Sequence, residues 1–130
     1  MRRVLVVEDN RLERKLLTHI LRSHFGEMLK IDEVIDGSHA IQYLQYQQYD
    51  LIITDLIMPR IEGLELIRHI LNDYSDSRVM AISGSNPYYL YLAKKIGVDE
   101  VLTKPLDREK LLKTVDKLLK LSTASTAIRS

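Results

Sequence analysis

Cysteine is absent from the 130 residues of this chain. The absence excludes disulfides, thiolate metal sites and cysteine nucleophiles, and it is typical of a reducing compartment, so we expect a cytoplasmic protein. Long hydrophobic runs are absent too. The apolar run at residues 4–7 is too short for a signal peptide or a membrane span, so we expect no contact with a membrane.

Neither sign of charge is in excess, because 19 Lys and Arg face 18 Asp and Glu for a formal charge of +1. This balance gives no general reason to bind nucleic acid, and we expect no direct nucleic-acid partner. A composition of 45% hydrophobic and 28% charged residues is typical of a globular protein. The length predicts one domain without a separate output domain. The polar residues 122–130 are predicted to form a flexible tail.

Short β-branched runs alternate with longer amphipathic segments along the chain. Strands are predicted at residues 4–7, 31–35, 51–54, 79–83 and 101–103. Leu12, Leu16, Leu17, Ile20 and Leu21 have helical spacing, as do two later sets of apolar residues. Two more helices are predicted at residues 89–96, ended by Gly97, and 111–121, with Asp107 as N-cap. Five such βα units predict an α/β fold, a doubly wound parallel sheet with helices on both faces.

Acidic side chains stand where two of these strands end. Glu8 and Asp9 follow the first strand, and Asp55 follows the third. In open parallel sheets ligands bind outside the carboxyl ends of the strands, where the strand order reverses, so the three carboxylates are expected to converge. Crowded carboxylates need a cation, and hard oxygen ligands favour Mg²⁺. The alternative is that these acids are solvated or that Asp9 caps the next helix.

Two further residues complete this predicted edge of the sheet. Ser83 ends the fourth strand and Lys104 follows the fifth. A hydroxyl, a cation and carboxylates together indicate phosphate chemistry: Lys104 neutralises a phosphoryl oxygen, Ser83 donates a hydrogen bond to another, and a carboxylate attacks phosphorus. Lys104 precedes Pro105, and a cis bond between them is one alternative that the sequence leaves open.

The pattern resembles the receiver domain of two-component response regulators over residues 2–121. The resemblance rests on four motifs: Glu8-Asp9, Asp55-Leu56-Ile57-Met58-Pro59 followed by Gly63, Ser83-Gly84, and Lys104-Pro105. The segment Val34-Ile35-Asp36-Gly37 is also similar to the turn that precedes the second helix in that family.

The resemblance implies a five-stranded flavodoxin-like (βα)5 fold with strand order 2-1-3-4-5. It implies that Asp55 accepts a phosphoryl group from a phosphohistidine on a histidine kinase or a histidine phosphotransfer protein, and that Lys104 and Ser83 respond to it. The implied Mg²⁺ ligands are Glu8, Asp9, Asp55 and the backbone carbonyl of Ile57. Such a chain resembles a single-domain chemotaxis regulator, a signalling switch and not an enzyme acting on other substrates. Its output partner is unidentified, and a homodimer stays open.

Two positions depart from the family pattern. Val101 stands where the family commonly has Tyr or Phe, so the usual coupling between ring rotation and hydroxyl movement is not expected. The acidic pair begins with Glu8 where Asp is usual, and its longer side chain can reach the metal through a water.

Three rival interpretations are weaker, and one feature is open. An aspartate-based phosphatase of the haloacid dehalogenase type has a second acid where this chain has Ile57. A flavin carrier needs a glycine- and hydroxyl-rich loop after the first strand, whereas residues 8–11 are mainly charged. A pseudo-receiver would lack part of the acid and lysine set. Tyr88, Tyr89 and Tyr91 indicate either half-buried packing or a recognition patch.

Overall fold

The computed structural model describes residues 1–57, 63–84 and 86–121. The strands are β1 (Arg2–Val7), β2 (Leu29–Val34), β3 (Leu51–Asp55), β4 (Arg78–Ser83) and β5 (Glu100–Thr103). The helices are α1 (Arg11–Phe25), α2 (Gly37–Tyr46), α3 (Gly63–Asp73), α4 (Pro87–Ile96) and α5 (Arg108–Leu119). A short 3-10 turn, Gly26–Met28, joins α1 to β2. The predicted alternation of strands and helices is confirmed.

All five strands are parallel, in the order β2-β1-β3-β4-β5. This is the predicted order. β2 lies on one side of β1, whereas β3, β4 and β5 follow on the other side, so the strand order reverses between β1 and β3. The register pairs Val7 with Thr54, Asp55 with Ile82, and Ser83 with Thr103. The carboxyl ends of β1, β3, β4 and β5 therefore lie side by side at one edge of the sheet.

The sheet separates two apolar clusters. Along β1, Val4 and Val6 point into a cluster that includes side chains from α1 and α5. Leu5 and Val7 point into the other cluster, which includes side chains from α2, α3 and α4. Because both faces of the central strands are buried, their sequences are continuously apolar rather than alternating.

The ends of the helices follow local rules of capping. Asp107 accepts a hydrogen bond from the Lys110 amide at 3.2 Å, and Gly97 ends α4 with a φ of 119°, so both predicted boundaries are confirmed. The N-cap of α1 is Asn10, which accepts from the Glu13 amide at 2.9 Å. The alternative role of Asp9 as that cap is therefore wrong.

The buried face of α1 is smaller than the helical spacing of its apolar residues predicts. Leu17, Ile20 and Leu21 are buried, whereas Leu12 and Leu16 are 81% and 55% exposed. Within the described ranges, no helix is long and apolar enough to cross a bilayer. The predicted tail, residues 122–130, lies outside the described residues, as do Met58 and Pro59 of the phosphoacceptor motif.

Candidate functional site

Four predicted site residues meet at the carboxyl edge of the sheet. Glu8 directly follows β1, Asp55 is the last residue of β3, Ser83 is the last residue of β4, and Lys104 directly follows β5. Neighbouring strand ends are tied together below these side chains, since the Leu56 amide donates to the Ile82 carbonyl at 3.2 Å and the Lys104 amide donates to the Ser83 carbonyl at 3.2 Å. The backbone of the sheet thus fixes the positions from which the side chains converge.

Lys104 is the centre of the site. Its Nζ donates to Glu8 Oε1 at 2.7 Å, to Asp55 Oδ2 at 2.8 Å and to Glu13 Oε2 at 2.8 Å. Burial alone would lower the pKa of Lys104, but the hydrogen bonds to the Asp55, Glu13 and Glu8 carboxylates together raise it above its usual value. Lys104 is therefore a fixed positive charge at physiological pH.

The contact from Glu13 is one that our sequence reasoning missed. Glu13 lies in the first turn of α1, three residues after the N-cap Asn10. An acid at this helix position commonly points back towards the N-terminus of its helix. Because α1 starts beside the carboxyl end of β1, that direction leads to Lys104. One sequence signal could have predicted this contact. Glu13 is an acid in the first turn of a helix that directly follows the acidic residues at the end of β1.

Three carboxylates are spaced to hold a cation. Glu8, Asp9 and Asp55 each offer one oxygen, and these oxygens lie within 4.8 Å of one another. Burial raises the pKa of Glu8 to about 7, hydrogen bonds from Lys104 and the Asn10 amide oppose this shift, and repulsion by Asp55 adds to it. A divalent cation would relieve that repulsion, and an all-oxygen donor set suits Mg²⁺. The residues present therefore fit the predicted metal.

The Asp55 carboxylate is held from both sides. Its Oδ1 accepts a hydrogen bond from the Ile57 amide at 3.1 Å, while its Oδ2 accepts from Lys104. Its side chain is 11% exposed. The carboxylate is thus oriented in advance and remains open towards the cleft. Ile57, whose carbonyl is a predicted metal ligand, lines this cleft together with Asp55.

Ser83 lines the same cleft, which has a volume of about 550 Å³ and is also lined by Asp55 and Lys104. The Ser83 side chain is buried, and its Oγ has no hydrogen-bond partner in the part of the chain that the structure describes. A buried hydroxyl without a partner costs about 1–3 kcal/mol. The site thus contains a positive charge and a free hydroxyl donor beside a carboxylate, an arrangement that suits an anion.

Two glycines permit the close approach of backbone at this edge. A Cβ on Gly84 would lie 2.8 Å from Lys104 Cβ, and a Cβ on Gly63 would overlap the Asp55 carbonyl oxygen and lie 2.5 Å from Leu56 Cα. The Gly63 amide also donates to the Leu56 carbonyl at 3.0 Å. The Lys104–Pro105 bond is cis.

The residue at the unusual position, Val101, is partly buried and packs against the cluster on the α2, α3 and α4 side. Tyr89 packs partly buried against the same cluster. Tyr88 and Tyr91 are 58% and 55% exposed, and their ring centroids lie 6.2 Å apart. Packing therefore accounts for Tyr89, whereas the role of Tyr88 and Tyr91 as a recognition patch stays a prediction.

Comparison with known proteins agrees with this geometry. The family described as the response regulator receiver domain matches residues 4–116. The chain therefore belongs to the receiver domain family of two-component response regulators, as its sequence motifs predict. This membership favours a signalling switch over the phosphatase and flavin-carrier interpretations.

Individual relatives show how far the similarity extends. Protein PilH of Pseudomonas aeruginosa is 29% identical over 92% of this chain and 98% of its own length. The 3',5'-cyclic-nucleotide phosphodiesterase regA of Dictyostelium discoideum is 37% identical over 90% of this chain, which spans only 15% of that protein. Among solved structures, the chemotaxis response regulator CheY4 of Vibrio cholerae is 27% identical with a TM-score of 0.80, covering 92% of this chain and 99% of that one. The likeness thus concerns the receiver unit.

Proposed function

We propose that this receiver domain, spanning residues 2–121, accepts a phosphoryl group on Asp55 from a phosphohistidine of a histidine kinase or a histidine phosphotransfer protein. The observation that carries the proposal is the Asp55 carboxylate itself, oriented by the Ile57 amide and paired with Lys104 beside the Glu8 and Asp9 carboxylates. A nucleophile, a positive charge and a candidate metal site are thus combined at one point.

In the proposed reaction an oxygen of Asp55 forms a bond to phosphorus as the bond from phosphorus to the donor imidazole nitrogen breaks. The products are an acyl phosphate on Asp55 and a free histidine on the donor. Lys104 offsets the negative charge of the new group, and the Ser83 hydroxyl donates a hydrogen bond to one of its oxygens.

Mg²⁺ would be held by Glu8, Asp9, Asp55 and the carbonyl of Ile57, and it would neutralise charge on the phosphoryl oxygens during transfer. Without a cation, three carboxylates, those of Glu8, Asp55 and Glu13, bond to the Lys104 ammonium group, and the Asp9 carboxylate lies within 4.8 Å of those of Glu8 and Asp55. A phosphodonor that is itself an anion would be repelled by this excess of negative charge. We therefore expect phosphorylation to depend on Mg²⁺.

The test is phosphorylation by acetyl phosphate, followed by intact-protein mass spectrometry. We expect one phosphoryl group on the wild-type protein with Mg²⁺, and none with EDTA or in Asp55→Asn. Asp73→Asn is the matched control, because Asp73 is an exposed carboxylate at the far end of α3. Persistence of the same modification in Asp55→Asn, or its loss in Asp73→Asn alone, would overturn the assignment.

The consequence of phosphorylation is proposed to be a change in binding to an output protein. The new group draws the Ser83 hydroxyl and its loop towards Asp55, and that shift reaches α4 and β5, which contact each other. A pull-down comparing protein with and without beryllofluoride, a mimic of the phosphoryl group, tests this step. Equal recovery of every partner in both states would contradict it.

A further inference from the structure

Glu13 has no role in the proposed reaction, yet its side chain accepts a hydrogen bond from the Lys104 ammonium group at the centre of the site. We infer that Glu13 competes with the incoming phosphoryl group for the Lys104 ammonium, and so sets how readily the domain is phosphorylated. The inference rests on the proposed function, because it assigns a positioning residue to the same site. It concerns a side chain in the first turn of α1, separate from the strand-end residues that carry the reaction.

Lys104 has a limited number of hydrogen-bond donors. An ammonium group has three N–H bonds and accepts none. In this structure three carboxylates occupy them, those of Glu8, Glu13 and Asp55, at 2.7–2.8 Å. A phosphoryl oxygen therefore gains a hydrogen bond from Lys104 only if one of these three carboxylates releases it.

Burial decides which carboxylate is released. The side chains of Glu8 and Asp55 are 6% and 11% exposed, whereas that of Glu13 is 47% exposed. Glu8, and Asp55 until its bond to phosphorus forms, would each keep an uncompensated charge in a medium of low dielectric on losing this partner, which is costly. Glu13 exchanges its bond for water at little cost. It is also outside the group of Glu8, Asp9 and Asp55 whose oxygens are spaced for a metal among the described residues.

The same geometry makes the test clean. The helix cap at Asn10 uses the backbone amide of Glu13, at 2.9 Å, so replacing the Glu13 side chain leaves the cap in place. Glu13→Gln keeps the shape of the side chain and removes its charge. An ion pair with one exposed partner changes an equilibrium by up to about fivefold. We therefore expect Glu13→Gln to lower the beryllofluoride concentration for half-saturation about three- to fivefold at saturating Mg²⁺.

Phosphorylation of Glu13→Gln by acetyl phosphate should be faster than that of the wild type by a similar factor. The anionic donor is then repelled by one carboxylate fewer, and Lys104 no longer has an ion pair with residue 13. Glu109→Gln is the matched control, since Glu109 is an exposed acid in the first turn of α5. It removes the same charge from the first turn of another helix, and its half-saturation should equal that of the wild type. An equal gain in Glu109→Gln would show that lost negative charge in general, and not the Lys104 contact, is responsible.

Glu13→Asp separates the contact from the charge. It keeps a carboxylate in the first turn but is one methylene too short to keep the 2.8 Å contact with Lys104. We expect at least half of the effect of Glu13→Gln in this variant. Half-saturation equal to that of the wild type in either Glu13 variant would overturn the inference. Failure of the proposed function would look different, because the wild-type protein would then neither bind beryllofluoride nor gain a phosphoryl group on Asp55.

Discussion

Removing the Ser83 hydroxyl should stabilise the unphosphorylated domain while weakening its response to phosphate. The hydroxyl is buried and has no hydrogen-bond partner among the described residues. Ser83→Ala therefore removes an unsatisfied polar group and breaks no hydrogen bond. The desolvation cost of such a group is about 1–3 kcal/mol. Because Ser83 borders an open cleft, the lower end applies, and we expect the free energy of unfolding to rise by about 1 kcal/mol.

This gain can be measured as a change in the thermal midpoint. Unfolding entropy is about 2.1 cal/mol/K per residue, so for 130 residues a gain of about 1 kcal/mol raises the midpoint by about 4 °C. The melt is recorded by circular dichroism in EDTA, without phosphodonor. In the presence of Mg²⁺, the same variant should bind beryllofluoride about tenfold more weakly or worse, because a hydrogen bond to a charged group is lost.

Ser77→Ala is the control with the opposite sign. Ser77 is also buried, but its Oγ donates to the Tyr49 carbonyl at 2.6 Å. Its removal should lower the free energy of unfolding by about 1 kcal/mol and leave beryllofluoride binding unchanged. If Ser83→Ala destabilises the protein as much as Ser77→Ala does, the hydroxyl is satisfied in solution and the reasoning is refuted.

Two further predictions concern the neighbourhood of the site. Gly63→Ala should lower the free energy of unfolding by about 1–3 kcal/mol in urea titrations, because the added methyl group meets the backbone at the end of β3; an unchanged midpoint would contradict this. Val101 is stiff and short, so we expect activation to move the start of α4 instead of a ring on β5. NMR shifts of residues 86–92, including Tyr88 and Tyr89, should then change when beryllofluoride binds, and changes confined to Asp55 and Ser83 would refute the idea.

The fold follows from the sequence because its main determinants are local and periodic. Continuous apolar strands between amphipathic helices predict a parallel sheet with both faces covered, and the family resemblance supplies the strand order. The edge strand β2 is one exception, since half of it is only partly buried, and Ile35, predicted to belong to it, is 46% exposed beyond its end. At a sheet edge the apolar pattern weakens, and the boundary becomes harder to predict.

The candidate site was predictable where its residues sit directly at strand ends. Asp55 and Lys104 meet because Asp55 ends β3 and Lys104 follows β5, the two strands that flank β4, and this strand order is the one that the family resemblance implies. Glu13 was not predictable in the same way, because its contact depends on the path of a long side chain from a helix across to β5. The exposure of Leu12 and Leu16 was missed for a related reason. Helical spacing shows that an apolar stripe exists but not how much of it another element covers.

The three hydrogen bonds of Lys104 have a consequence for when the site comes into existence during folding. They join residues separated along the chain by 96, 91 and 49 positions, so they link the beginning, the middle and the end of the domain. Contacts of such long sequence separation form only once the intervening chain has paid its loop-closure entropy, which means after the central strands are paired. A nascent or partly unfolded chain therefore lacks the lysine-carboxylate centre even where Asp55 is already present. Competence for phosphorylation is thus a property of the completed domain, and incompletely folded copies should carry no signal.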